Sequence, residues 1–354
     1  MTISRRLAVP AALVMLFAPA CTIQYVPPSS NASDESGGSN GPAAPDDHVG
    51  HMSAEDLVAP VTTPLQGGAQ GTPGIPASAR TAAARLQASP RHAEWVKIAL
   101  EPGSADSIMA WIVYPATSAR APVVVVVHEI FGLQTWVRGV ADQVAADGFI
   151  AIAPDFLSRV RGGPSSVELS ADSARRLIGG VNVAERNRVI AAAANYAMMQ
   201  PAAAQKYAVI GYCWGGTTTW GHAVNGGVRG FSGGVAFYGS PYTSGGSRAT
   251  AAAPAVPATV TADSLAKVGM PMMLLNGDKD TRIGAMMPAI DSIMRAHGKT
   301  YSGVNYPGAV HGFLRAQDDP KEQRDEAEEQ ANLSASRDGW RRTIEFLKRH
   351  LADN

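Results

Sequence analysis

The stretch Gly211-Tyr212-Cys213-Trp214-Gly215 sets a thiol between two glycines at the end of the apolar run "YAVIG" (207–211). A thiolate is a strong nucleophile, and a sharp strand-to-helix turn would project it while the helix N-terminus favours its negative charge. Glycines flank such a turn because side chains there would collide with the neighbouring elements. Alone, a G-x-C-x-G pattern is weak and fits a small buried core cysteine better than a nucleophile.

Two further residues supply the context. Asp280 follows the apolar run "PMMLLNG" (271–277), and His311 follows "TYSGVNY" (300–306), so the order along the chain is nucleophile, acid, base. Asp280 would orient an imidazole and stabilise its charged form. His311 would draw the proton from Cys213 and later activate water. Asp278 is the rival acid. His222 falls nine residues past Cys213 on the same expected helix, roughly 13 Å away and too far to take its proton. His297 sits near the end of another expected helix, where it is solvated. The turn "HEIFGL" (128–133) follows the run "PVVVVV" (122–127). A backbone N–H from such a turn, here Ile130, and one from the residue after the nucleophile, Trp214, form an oxyanion hole. Glu129 in that turn would be costly to bury without a partner, so it is either satisfied structurally or placed to act on the thiol.

These residues need a scaffold that delivers strand ends side by side. The continuous β-branched run 122–127 is expected of a strand buried on both faces. Strands are also expected at 107–114, 149–154, 207–211, 233–239, 271–277 and 300–306. Helical spacing marks 135–148, which closes on a glycine, as well as 183–199, a segment after Gly215, 284–297 and the final "RDGWRRTIEFLKRHL". Alternating strands and helices predict an α/β fold, a mostly parallel sheet with helices on both faces. One domain, 89–354, is expected.

The N-terminal quarter reads differently. "MTISRRLAVPAALVMLFAPAC" has two arginines, then an apolar stretch from Leu7 to Phe17 too short to span a bilayer, then a lipobox-like end at Cys21. Residues 1–20 are therefore expected to be a lipoprotein-type signal peptide and Cys21 the lipidated residue of an exported, membrane-anchored protein. Residues 21–88 are dominated by Pro, Gly, Ser and Ala and read as a disordered tether, with a short helix expected in 77–88. His48 and His51 there lack the Cys/His spacing of a metal site. With Cys21 lipidated, Cys213 has no intramolecular disulfide partner, since the chain has two cysteines. Lysine and arginine total 30, matched by 30 acidic residues, and no basic block occurs, which argues against nucleic acid as a partner.

"HEIFGL", "GYCWGG", "GDKD" and "AVHGF", in this order and spacing, resemble the dienelactone hydrolase family of the α/β-hydrolase superfamily over about residues 95–350. The resemblance implies a Cys213–Asp280–His311 triad, with Glu129 helping to generate the thiolate. It implies that Arg315, four residues after His311, meets a substrate carboxylate. A second substrate arginine is expected upstream, with candidates in "SARRL" and "AERNR". The implied activity is hydrolysis of a lactone or carboxylic ester through a thioester intermediate, without metal or organic cofactor, on a small-molecule substrate. Two alternatives stand beside it: a broad esterase or thioesterase, and a ligand-binding lipoprotein with a vestigial triad. Residues 240–265 look like an insertion ahead of the acid strand. The membrane is met only through the N-terminal lipid.

Expression of the full chain in a bacterium, with mass analysis of the mature N-terminus, tests the leader. Cleavage before Cys21 with diacylglyceride attached is the expected outcome; a soluble form cut elsewhere would overturn it.

Overall fold

The computed structural model describes residues 63–64, 66–117, 119–165, 170–246, 256, 258–317 and 326–352. The signal segment, Cys21, His48 and His51 lie outside the described residues, as do residues 247–255 and 257 of the 240–265 insertion.

Ten strands and nine helices follow one another along the described chain. The strands are β1 (Ala93–Ala99), β2 (Ser107–Val113), β3 (Ala121–Val127), β4 (Ile150–Asp155), β5 (Ala203–Tyr212), β6 (Phe231–Phe237), β7 (Thr243–Ser244), β8 (Thr259–Val260), β9 (Met272–Gly277) and β10 (Tyr301–Tyr306). The helices are α1 (Ala82–Ala88), α2 (Thr135–Ala146), α3 (Ser158–Arg161), α4 (Ala171–Gly179), α5 (Val183–Met198), α6 (Trp214–Val224), α7 (Ala262–Ala266), α8 (Thr281–Ala296) and α9 (Glu326–Leu351).

Eight strands form one sheet in the order β1-β2-β4-β3-β5-β6-β9-β10. β1–β2 and β2–β4 are antiparallel, and every other pair is parallel. The expected α/β-hydrolase fold is therefore present. The valines of β3, Val123 to Val127, have no exposure, as a central strand covered on both faces requires. Strand order reverses at β3, between β4 and β5, so a crevice opens at the carboxyl ends of the strands. Register brings those ends level: Val127 pairs with Gly211, Tyr212 with Phe237, Phe237 with Leu275, and Gly277 with Tyr306.

Besides the short α3, α7, β7 and β8, three elements differ from the sequence reading. β1 was not anticipated, although its burial alternates as an edge strand's should. α4 was also missed; Ser170 caps it by accepting from the Ser173 N–H. α9 begins at Glu326 rather than near 337, and its acidic first turn suits a helix N-terminus.

The tether boundary at 88 is corrected. Residues 66–88 are described, and from Ile75 they pack on the domain: Ala77, Ser78, Thr81 and Ala82 are buried. The Trp136 indole donates to the Ala77 carbonyl at 3.0 Å, and the Gln317 amide to the Pro76 carbonyl at 3.1 Å. The Ala79 N–H donates to the Arg315 carbonyl at 3.1 Å. Arg85 donates to the carbonyls of Gln70 at 2.7 Å and Thr72 at 2.8 Å. Small residues let α1 approach α2 closely; a Cβ on Gly139 would lie 3.2 Å from that of Ala82. The strap thus holds its place through backbone carbonyls and alanines, which composition alone cannot tell from a linker.

Ala77→Asp would place a carboxylate in a dry contact. Tryptic cutting after Arg80 and Arg85 is expected to accelerate by about tenfold or more while the sheet remains protected. Equal cutting of wild type and variant would return the segment to the status of a tether.

Candidate active site

Cys213 occupies the turn between β5 and α6 with φ 56 and ψ −117. That left-handed region is costly for a residue with a Cβ and persists only where the surroundings impose it. Sterics impose it here. A Cβ on Gly211 would lie 1.9 Å from the Gly215 carbonyl oxygen, and one on Gly215 would lie 2.4 Å from the Val127 oxygen and 2.6 Å from the His128 oxygen. The start of α6 is thereby pressed against the end of β3, beside the "HEIFGL" turn. The Cys213 N–H donates to the Phe237 carbonyl at 3.0 Å. The thiol itself is almost fully buried.

Asp280 and His311 come together as expected. The His311 Nδ1–H donates to Asp280 Oδ2 at 2.7 Å, both side chains being buried. Asp280 also caps α8, with Oδ1 accepting from the Ile283 N–H at 3.1 Å. Burial alone would raise the Asp280 carboxyl. The hydrogen bond and charge of His311, the Arg282 charge and the Ile283 N–H outweigh it and hold the group below the ordinary carboxylate range. The loops carrying the pair are in contact, since a Cβ on Gly277 would lie 2.4 Å from the Ala309 oxygen. The rival Asp278 does other work: its Oδ1 accepts from the Gly308 N–H at 2.7 Å and ties the loop. His222 is buried against the Tyr207 hydroxyl at 2.8 Å, and burial lowers its pKa to about 4. His297 is exposed at the end of α8, as expected.

Glu129 and Arg315 meet each other. Arg315 Nε lies 2.8 Å from Glu129 Oε2, and both side chains are buried. Glu129 Oε1 has no hydrogen-bond partner among the described residues.

Sequence spacing did not single out four neighbours. Tyr238, at φ 41 after β6, lays its ring 4.7 Å from that of His311. Burial raises its hydroxyl pKa well above the usual value; Glu129 adds to this, Arg315 opposes it, and Tyr212 and Cys213 add further. Tyr212 is raised likewise by burial and then by Glu129. Both phenols are therefore held neutral, and neither hydroxyl has a hydrogen-bond partner among the described residues. Arg186, within "AERNR", is buried with its guanidinium 4.9 Å from the Trp214 ring centroid. His128 stacks on Trp214 at 5.8 Å and is fully buried. A polar residue in an apolar turn was the available signal for His128; nothing local marked Tyr238. Among the described residues no group of three His, Cys, Asp or Glu side chains could hold a metal ion, and no helix is long and apolar enough to cross a membrane.

The Glu129–Arg315 pair makes a stability prediction. Arg315→Met removes the guanidinium 2.8 Å from the buried Glu129 carboxylate and should cost about 3–5 kcal/mol, a loss to compare with that of the Glu129→Gln/Arg315→Met double substitution. The double substitution should recover most of that loss in urea unfolding. No recovery would mean that the two charges do not balance each other.

Comparison with known proteins agrees with the fold. Residues 108–351 match the model of the dienelactone hydrolase family. A "Putative carboxymethylenebutenolidase" of Methylorubrum extorquens is 30% identical over 258 residues, covering 72% of this chain and 80% of that protein. Among solved structures, a "Putative Dienelactone Hydrolase" from Klebsiella pneumoniae superposes with a TM-score of 0.56 at 24% identity, over 72% of this chain and 98% of the other. A dienelactone hydrolase-like promiscuous phosphotriesterase from metagenomic libraries gives 0.54 at 22% identity, over 71% and 98%. The chain is a hydrolase belonging to the dienelactone hydrolase family, built on the α/β-hydrolase fold.

Proposed function

We propose that this protein hydrolyses a lactone or carboxylic ester bearing a free carboxylate, with Cys213 as nucleophile, His311 as base and Asp280 orienting it. The observation that carries the reading is the strained Cys213 turn, set at the strand ends that also deliver the 2.7 Å His311–Asp280 hydrogen bond.

The Glu129–Arg315 pair supports the carboxylate preference. A guanidinium binds a carboxylate through charge-assisted hydrogen bonds, so a substrate carboxylate competes with Glu129 for Arg315. Glu129 is thereby released from its counter-charge. It takes the thiol proton of Cys213. The thiolate then forms the S–C bond to the carbonyl carbon, and the oxyanion accepts from the Ile130 and Trp214 N–H groups. The C–O bond breaks, and the leaving oxygen receives the proton from Glu129. In the second half His311 Nε2 takes a proton from water as the water oxygen bonds to the acyl carbon. The C–S bond breaks and His311 returns the proton to sulfur. A hydrolase of this kind needs no metal or organic cofactor, and its partner is the small substrate. We carry forward export and lipid anchoring at Cys21 as part of the same proposal.

A panel of lactones, esters and thioesters, each with and without a free carboxylate, tests the reading. Cys213→Ala should abolish turnover without unfolding the domain. Glu129→Gln should lower kcat by about 10² on carboxylate substrates, the usual worth of a positioned base. Arg315→Met should raise KM for those substrates far more than for neutral esters. Full activity of Cys213→Ala would overturn the mechanism, and equal effects of Arg315→Met on both substrate types would overturn the carboxylate preference.

A further inference from the structure

The imidazole of His128 is held on both nitrogens. Its Nδ1 lies 2.5 Å from the Glu129 carbonyl oxygen, and its Nε2 lies 3.1 Å from the Phe156 backbone N–H. A carbonyl cannot donate, so Nδ1 carries the hydrogen. A backbone N–H cannot accept, so Nε2 is bare. The two contacts fix one neutral tautomer. Burial lowers the pKa of the ring, against the charge of Asp155 and the Glu129 carbonyl, in keeping with a neutral group.

The Glu129 carbonyl belongs to the same peptide plane as the Ile130 N–H. A trans peptide is planar, with its C=O and N–H pointing in opposite directions, and the described chain has no cis peptides. Anchoring the oxygen on His128, beside a longer 3.4 Å bond from the Gly132 N–H, therefore helps set the direction of the Ile130 N–H. A hydrogen bond to the carbonyl also polarises the unit and strengthens the N–H as a donor. The same ring stacks on Trp214, 5.8 Å between centroids with planes 15° apart. Trp214 is the residue whose N–H would be the second donor. The far end of the clamp, Phe156, directly follows β4, the sheet neighbour of β3. Phe156 also packs edge-on against both the His128 and Trp214 rings, at 5.3 and 5.2 Å.

We infer that His128 is a positioning residue of the oxyanion hole: its neutral ring aims the Ile130 N–H through the Glu129 carbonyl and spaces that donor from Trp214. This rests on the ester-hydrolase reading above. His128 touches no reacting atom and acts only through the two backbone donors.

The test compares His128→Phe, which keeps a stacking ring and loses both hydrogen bonds, with His128→Gln, whose amide can donate to Glu129 and accept from Phe156. On an ester that wild type cleaves, His128→Phe should lose about 10² in kcat with KM nearly unchanged, a deficit of the size seen for one oxyanion donor. His128→Gln should lie within about tenfold of wild type, since tenfold is the scale of one net hydrogen bond. Alkylation of Cys213 by iodoacetamide, which needs no oxyanion hole, should change by no more than about twofold in either variant. Nitrogen chemical shifts of His128 in the unmodified protein at pH 7 should report the Nδ1–H tautomer, a readout that survives if the phenylalanine variant fails to fold. Wild-type kcat in His128→Phe, equal deficits in Phe and Gln variants, alkylation falling in step with turnover, or an Nε2–H tautomer would each overturn the inference. A wild-type protein inert on the whole panel would instead sink the hydrolase reading, and this inference with it.

Discussion

A single steric constraint governs the site: β5, the Cys213 turn and α6 approach so closely that no side chain fits at Gly211 or Gly215. Lacking Cβ atoms, these positions let the α6 N-terminus press against the carbonyls that end β3. The close approach forces Cys213 to φ 56 and puts its thiol at the start of a helix, next to the "HEIFGL" turn. It also brings Trp214 within stacking distance of His128. A looser turn would separate the thiol from the Ile130 and Trp214 N–H groups, the oxyanion donors of the proposed mechanism.

The second feature is the concentration of polar groups in a dry space. Glu129, Arg315, Asp280, His311, Tyr212 and Tyr238 are all buried or nearly so. Charges interact far more strongly there than in water, and each must be balanced. Asp280 is balanced by His311 and a helix cap, Glu129 by Arg315. The first balance is internal to the loops at the ends of β9 and β10. The second joins the β3 turn to the loop after His311. The two carboxylates differ in what else holds them: Asp280 is tied to the α8 backbone, whereas Glu129 Oε1 has no hydrogen-bond partner among the described residues.

The strap from Ile75 to Ala88 adds something the family match, which begins at residue 108, does not contain. It reaches the active-site side of the domain at Arg315, Gln317 and Trp136, and Trp136 packs edge-on against Tyr212 at 5.0 Å. A segment that composition assigns to the connector is therefore part of the packing behind the elbow.

Much of this was legible without coordinates. The valine run of β3, the glycines around Cys213 and the strand ends preceding Asp280 and His311 announce themselves, because buried strands and tight turns constrain local composition. The choice of Asp280 over Asp278 was also available from order and resemblance, and the geometry supplies the reason: one aspartate caps α8 and meets His311, the other ties Gly308. What local sequence could not convey is which distant groups face each other. Glu129 and Arg315 were each readable as site residues, yet their mutual ion pair depends on two loops far apart in sequence meeting above the sheet. The strap looked disordered because alanines and carbonyls hold it, and only the donors across from them distinguish a packed segment from a linker. His128 and Tyr238 matter through ring contacts and peptide orientation, which have no sequence period. Local chemistry and the order of elements were thus determined by the chain itself, while pairing of buried charges and aiming of backbone donors required tertiary contact, since both depend on distances between segments that sequence leaves unspecified.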